Sequence, residues 1–282
     1  IICDGFLARS PLIEKLRNAL PADNRISIFS DITPDPTIST VVQGIAQMQS
    51  LRPDVVIGFG GGSALDAAKA IVWFSRQFGI EIETCVAIPT TSGTGSEVTS
   101  ACVISDPDKG IKYPLFNNAL YPDMAILDPD LVVSMPPQIT ANTGMDVMAH
   151  AVEAVASIAA TSFTDPYAIE AIRLVLDNLE TAYTTPTDKT ARFNMHNASA
   201  LAGMAFTNAS LGLVHSLAHK IGGEFGVTHG LANAILMPYI ITFNRQFTDK
   251  YDRVEKLLGI NDLAEAVRQL NAKLGIPASF KQ

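Results

Sequence analysis

Over the first 135 residues, short apolar runs alternate with stretches of helical spacing. Asp54-Val-Val-Ile-Gly-Phe59 has no polar face, which predicts a strand buried on both sides. Ile1 to Cys3, Arg25 to Phe29 and Thr84 to Ile88 read as strands of the same kind. Between them, Ser10-Pro11 supplies a cap and a first-turn proline for a helix to about Leu20. Pro34 to Thr37 is a turn, and a helix follows it to about Leu51. Another helix is expected from about Ala64 to Phe74. Glu97 to Ser105 and Asp123 to Leu127 read as later strands, with a turn at Asp106-Pro107-Asp108. Past Met135-Pro136-Pro137 the strand signals stop and Ala-rich helical periodicity continues to the end. The predicted fold is α/β, with a parallel-sheet domain over residues 1–135 and an all-helical domain over 136–282.

Composition narrows the function classes. With 282 residues and 48% hydrophobic content, the chain is long enough for two domains and a substantial core. A formal charge of −8 argues against non-specific nucleic-acid binding and against an anionic membrane surface. No stretch approaches the roughly 20 apolar residues of a membrane helix. Cys3, Cys85 and Cys102 are scattered without a Cys-x-x-Cys, which fits core packing in a reducing, cytoplasmic setting rather than disulfides. Ile1-Ile2-Cys3 reads as the inside of a strand and no Met opens the chain, so the true N-terminus is expected upstream.

Two loops carry candidate phosphate chemistry. Gly58-Phe-Gly60-Gly61-Gly62-Ser63 lies between a strand and a helix, where glycines admit a phosphate to backbone N–H groups at a helix N-terminus. The pattern is not a complete G-x-G-x-x-G, and a tight turn without a ligand is the competing reading. A second loop, Pro89-Thr90-Thr91-Ser92-Gly93-Thr94-Gly95-Ser96-Glu97, also follows a strand, and two such loops make a dinucleotide crevice plausible. Neither is followed by a Walker lysine, which argues against an NTPase. Asp4, at the end of the first strand, could accept hydrogen bonds from a ribose and repel the extra phosphate of NADP, favouring NAD. A solvent-exposed loop Asp explains it equally well.

The richest signal is the histidines. Four of the five fall in Gly144-Met-Asp146-Val-Met-Ala-His150 and in the stretch holding His215, His219 and His229. Residues four apart on a helix share a face, so Asp146 can converge with His150, and His215 with His219. A carboxylate and imidazoles around one point suit a divalent metal, with zinc and iron both acceptable. Ser216 stands where a His-Glu-x-x-His protease would have its glutamate. His196 reads as structural.

Taken in order, the Gly-Gly-Gly-Ser loop, Pro-Thr-Thr-Ser-Gly-Thr-Gly-Ser-Glu, Gly-Met-Asp-Val-Met-Ala-His and the His215–Gly230 block resemble the iron-dependent (group III) alcohol dehydrogenases. The resemblance runs over almost the whole chain. It implies a dehydroquinate synthase-like architecture, NAD(H) and one divalent metal, with Fe2+ preferred and Zn2+ retained. It implies Asp146, His150, His215 and His229 as metal ligands, and His219 as the catalytic histidine beside nicotinamide and substrate. It implies that Asp4, Asp35, Gly61, Gly62, Ser63, Thr90, Thr91, Thr94, Thr99 and Lys112 contact the cofactor. Ile1–Leu7, Asn118–Pro129 and Ile139–Asp146 are similar to the branch of that family associated with propanediol-utilising bacterial microcompartments. That branch implies interconversion of a short aldehyde, propionaldehyde, and its primary alcohol. It further implies a homodimer or larger homo-oligomer, and partners among shell proteins or an aldehyde dehydrogenase. Relatives are longer at both ends and between Phe74 and Thr84, so this chain is expected to be a fragment.

Two rival functions stay open. One is a metal- and NAD-using lyase of dehydroquinate synthase type, whose multiply charged substrate needs several Lys and Arg residues. Only Lys220 lies near the metal motifs, which speaks against it. The other is a non-catalytic subunit associated with a microcompartment.

Overall fold

The computed structural model describes residues 1–281. It divides into two compact units, one of residues 1–91 and 96–131, the other of residues 92–95 and the described residues from 132 onward.

The first unit is built on a parallel sheet. Its strands are β1 (Ile2–Asp4), β2 (Phe29–Ile32), β3 (Val55–Gly60), β4 (Thr84–Pro89) and β7 (Met124–Ala125), in the order β2-β1-β3-β4-β7. The apolar runs of β3 and β4 lie at the centre and pair in parallel from Val55↔Thr84 to Gly60↔Pro89. Helices α1 (Pro11–Ala19), α2 (Ile38–Leu51) and α3 (Gly62–Gln77) alternate with the strands. Ile57, Phe59, Val86 and Ile88 pack with Leu7 and Ile13 in one cluster, while Val56 and Cys85 join Val41, Met48, Ala68 and Ile71 in another. All three cysteines are buried and free.

Two expectations need correction here, and one strand went unread. The strand expected at Arg25–Phe29 runs Phe29–Ile32, because its partner β1 starts at Ile2, which pairs with Phe29. The expected Glu97–Ser105 strand is shorter: Ser96–Val98 is a buried 3-10 turn and β5 spans Ala101–Asp106. β5 forms an antiparallel hairpin with β6 (Ile111–Phe116), which its proline and alternating exposure hide from a reading by apolar runs.

A buried charge network fixes the segment after the second loop. Lys69 Nζ donates to the carbonyls of Ser96 (2.8 Å) and Thr99 (3.3 Å), to Thr99 Oγ1 (3.1 Å) and to the Ala101 carbonyl. Asp66 lies 3.9 Å from Lys69 Nζ and accepts from Ser96 Oγ (2.6 Å) and the Val103 N–H (2.8 Å).

The second unit is helical: α4 (Pro137–Ala156), α5 (Asp165–Thr184), α6 (Lys189–Ala209), α7 (Leu213–Phe225), α8 (His229–Asn244), α9 (Lys250–Leu258) and α10 (Leu263–Lys273). α4 runs through its middle, buried along most of its length and packed by α5, α6, α7, α8 and α9. Alanines on the facing helices keep these axes close, so polar groups on α4 are removed from water by packing alone. Buried Arg192 ties α6 to the start of α4 through the Met135 carbonyl (3.0 Å) and Thr140 Oγ1 (2.7 Å). Among the described residues no helix is long and apolar enough to cross a membrane.

Candidate metal centre

Asp146, His150 and Glu153 repeat along α4 at intervals of four and three, which puts them on one face. That face meets His215 from the first turn of α7 and His229 from the first residue of α8. Two glycines permit the approach. A methyl group at Gly230 would collide with the Asn142 carbonyl of α4, and one at Gly212 would lie 2.9 Å from Glu153 Oε1.

Asp146, His150 and His215 are buried, and their donor atoms all lie within 4.8 Å of one another. Asp146 Oδ1 is 3.6 Å from His215 Nε2 and 3.4 Å from His229 Nε2. Four donors about 2.1 Å from one tetrahedral ion would stand roughly 3.4 Å apart, so the spacing fits. His150 stacks between Phe206 (4.4 Å between ring centres) and His215 (4.5 Å), and its buried Nδ1 has no hydrogen-bond partner. His219 projects from the same helix as His215 and is exposed. Its ring stacks on His229 at 5.0 Å and lies 6.2 Å from His215.

Charge supports the same reading. Asp146 and Glu153 are both buried carboxylates, and neither pairs with a lysine or arginine among the described residues. Burial would push Asp146 up, but His150, His229 and His215 hold its carboxyl well below the usual range. Burial depresses His150 to about 3, leaving a neutral imidazole suited to a metal. Burial also opposes the charged form of His215, yet the neighbouring Asp146 and Glu153 carboxylates carry it up to about 9. Two buried acids with no lysine or arginine beside them make a pocket for a metal cation.

Glu153 is a site residue that the sequence reading missed. Its Oε2 accepts from His215 Nδ1 at 2.6 Å, which turns Nε2 toward Asp146. The same carboxylate accepts the backbone N–H groups of Val214 (2.6 Å) and His215 (3.4 Å) at the start of α7. Gly212 gives that helix no side-chain cap, so Glu153 both caps α7 and orients its histidine. The signal was a lone acid inside Ala-Val-Glu-Ala-Val, one turn beyond His150.

The residues expected to hold the cofactor divide. Gly61, Gly62 and Ser63 open α3 directly after β3, and no side chain caps that helix. Thr90 N–H donates to the Gly60 carbonyl at 2.9 Å, and a methyl at Gly61 would touch Thr91 at 3.2 Å. The first loop therefore lies against Thr90 and Thr91. Asp35, at φ 55°, donates its N–H to Ser63 Oγ (3.3 Å) and pairs with Lys112 Nζ (2.8 Å). Asp4 Oδ1 accepts from the N–H groups of Phe6 and Leu7, both at 2.8 Å, so that oxygen shapes its own turn. Thr99 is buried with its hydroxyl on Lys69. Thr94 lies in the segment 92–95, grouped with the helical unit; there Ser92 Oγ is 2.9 Å from Nδ1 of buried His196.

A buried carboxylate–imidazole donor set in the helical unit, in a chain that also carries a parallel-sheet unit, defines a candidate metal-binding α/β protein. Residues 1–129 match the iron-containing alcohol dehydrogenase family, and residues 140–282 match the C-terminal part of the Fe-containing alcohol dehydrogenase family. The chain is 76% identical over 244 residues to 1-propanol dehydrogenase PduQ of Citrobacter freundii, covering 86% of this chain and 66% of that protein. It is 68% identical over 272 residues to the PduQ of Salmonella typhimurium, covering 94% and 74%. Among solved structures, sulfoacetaldehyde reductase from Bifidobacterium kashiwanohense in complex with NAD+ superposes with a TM-score of 0.93 at 30% identity, over 99% of this chain and 78% of that one. The chain belongs to the iron-containing alcohol dehydrogenase family.

Proposed function

We propose that this chain interconverts a short-chain aldehyde and its primary alcohol with NAD(H), with propionaldehyde and 1-propanol as the pair. The observation that carries the reading is the buried convergence of Asp146, His150 and His215 with no lysine or arginine paired to them among the described residues. These three and His229 would hold one divalent metal, with iron as the ion in keeping with the family. A bound metal would supply Lewis-acid polarisation of the substrate oxygen, and a bound nicotinamide would supply hydride exchange. Glu153 keeps the His215 ring turned so that its Nε2 faces Asp146. His219, exposed and stacked on His229, would exchange a proton with the substrate oxygen or with water. Gly61, Gly62 and Ser63, with Thr90 and Thr91, would offer backbone N–H groups and hydroxyls to the cofactor phosphates. Asp35 and Lys112, joined at 2.8 Å, would flank its adenosine end, and Asp4 would favour NAD. Assembly as a homodimer or larger homo-oligomer belongs to the same proposal. So does a place in the cytoplasm or a microcompartment beside shell proteins or an aldehyde dehydrogenase. Both rest on the resemblance.

The test is elemental analysis of protein purified without oxygen, paired with NADH oxidation on propionaldehyde. About one metal ion per chain with turnover is expected for a single four-donor site. His219→Ala should slow turnover with metal content unchanged, whereas metal loss in that variant would make His219 a ligand. Metal without net NADH oxidation would favour the lyase reading. Neither metal nor turnover would leave the non-catalytic subunit.

A further inference from the structure

We infer that Asn233 is a positioning residue of the metal centre, holding the donor atoms converged before a metal arrives. The inference rests on the proposed metal site and concerns a residue outside its ligand set. Asn233 sits one turn after His229 on the same face of α8 and is completely buried. Its Nδ2 lies 2.6 Å from Asp146 Oδ1, 3.2 Å from His229 Nε2 and 3.3 Å from His215 Nε2. One amide group thus reaches donors from three helices. The Asp146 contact is a full hydrogen bond, and the same nitrogen lies beside the two imidazole nitrogens.

The other half of the amide shows what sets this orientation. Asn233 Oδ1 is buried without a donor, a state that ordinarily costs about 1–3 kcal/mol. Turning the amide over would place that oxygen beside Asp146 Oδ1, acceptor against acceptor. The carboxylate therefore decides the rotamer, at the expense of the carbonyl. A residue present only to fill the helix interface would be served better by leucine, which has a similar shape and no orphaned oxygen. The polar side chain is explained by what it faces.

The test is Zn2+ affinity, measured by chelator competition on the metal-free protein, for the unsubstituted chain, Asn233→Leu and Asn233→Asp. Asn233→Leu should bind Zn2+ about 10–100-fold more weakly, the usual cost of losing a partner that orients a ligand. The thermal midpoint of the metal-free protein should not fall with it. Asn233→Asp puts a second carboxylate against Asp146, so it should be destabilised without metal and show a larger Zn2+-induced rise in Tm than the unsubstituted chain. Unchanged or tighter Zn2+ binding in Asn233→Leu overturns the inference. If that variant does not fold, an unchanged Zn2+-induced rise in Asn233→Asp overturns it instead. Failure of the unsubstituted chain to bind Zn2+ would count against the metal site itself.

Discussion

Two buried charged clusters in this chain look alike in composition and differ in what balances them. In the sheet unit, Asp66 and Glu97 accompany Lys69, whose ammonium also holds the Ser96, Thr99 and Ala101 carbonyls. In the helical unit, Asp146 and Glu153 have only His150, His215, His229, Asn233 and backbone N–H groups. The first cluster supplies its own cation and behaves as scaffold, pinning the segment after the second loop. The second has imidazole nitrogens where an ammonium would otherwise stand, which leaves room for a cation from outside. A buried acid signals a ligand site only when the fold does not already neutralise it.

The comparison can be broken first at Lys69. Lys69→Met leaves Asp66 buried without its cation and should cost roughly 3–5 kcal/mol, lowering Tm by about 10 °C or more in calorimetry. Metal content should not change. If metal is lost while the protein stays folded, the division between scaffold and site is wrong.

Glu97 gives the pH signature of the scaffold. Burial raises its carboxyl from 4.5 to about 7, opposed by its own backbone N–H and by Lys69. A folded pKa above the unfolded one means that stability is fully present below 4.5 and is lost as pH rises through about 7. Glu97→Gln should flatten that decline and gain roughly 2–3 kcal/mol at pH 8 in urea titrations. An unaltered pH slope would show that Lys69 already neutralises the carboxylate fully.

Glu153 sharpens the other side with a smaller effect. Glu153→Gln retains an oxygen for the α7 N–H groups but withdraws the anion facing His215 Nδ1. Metal affinity should fall about 10-fold or somewhat more, in the range of lost outer partners. Retention of full affinity would reduce Glu153 to a helix cap.

The legibility of these clusters follows the same division. Asp146 and His150 could be read because helical spacing converts directly into a shared face. Histidines are rare enough here for their grouping to stand out. The β-strands β3 and β4 could be read because central parallel strands bury both faces. Glu153 and Asn233 were overlooked because each is one polar residue in an apolar helix, with meaning only across helices. Lys69 was hidden for the same reason, inside Ala-Ala-Lys-Ala-Ile. Thr99 entered only through the family resemblance, and its hydroxyl is committed to a lysine far away in sequence. β6 was missed because an edge hairpin with a proline has no continuous apolar run. Patterns within one element survive in the sequence, whereas pairings between elements appear only once the chain is folded.

The most direct test is titration of the metal-free protein with Co2+, followed by its visible absorption and by equilibrium dialysis. The unsubstituted chain and Asp66→Asn should each bind about one ion per chain with the same spectrum, and Asp146→Asn should lose it, as a four-donor site stripped of its carboxylate would. Binding that persists in Asp146→Asn, or that disappears in folded Asp66→Asn, would contradict the account.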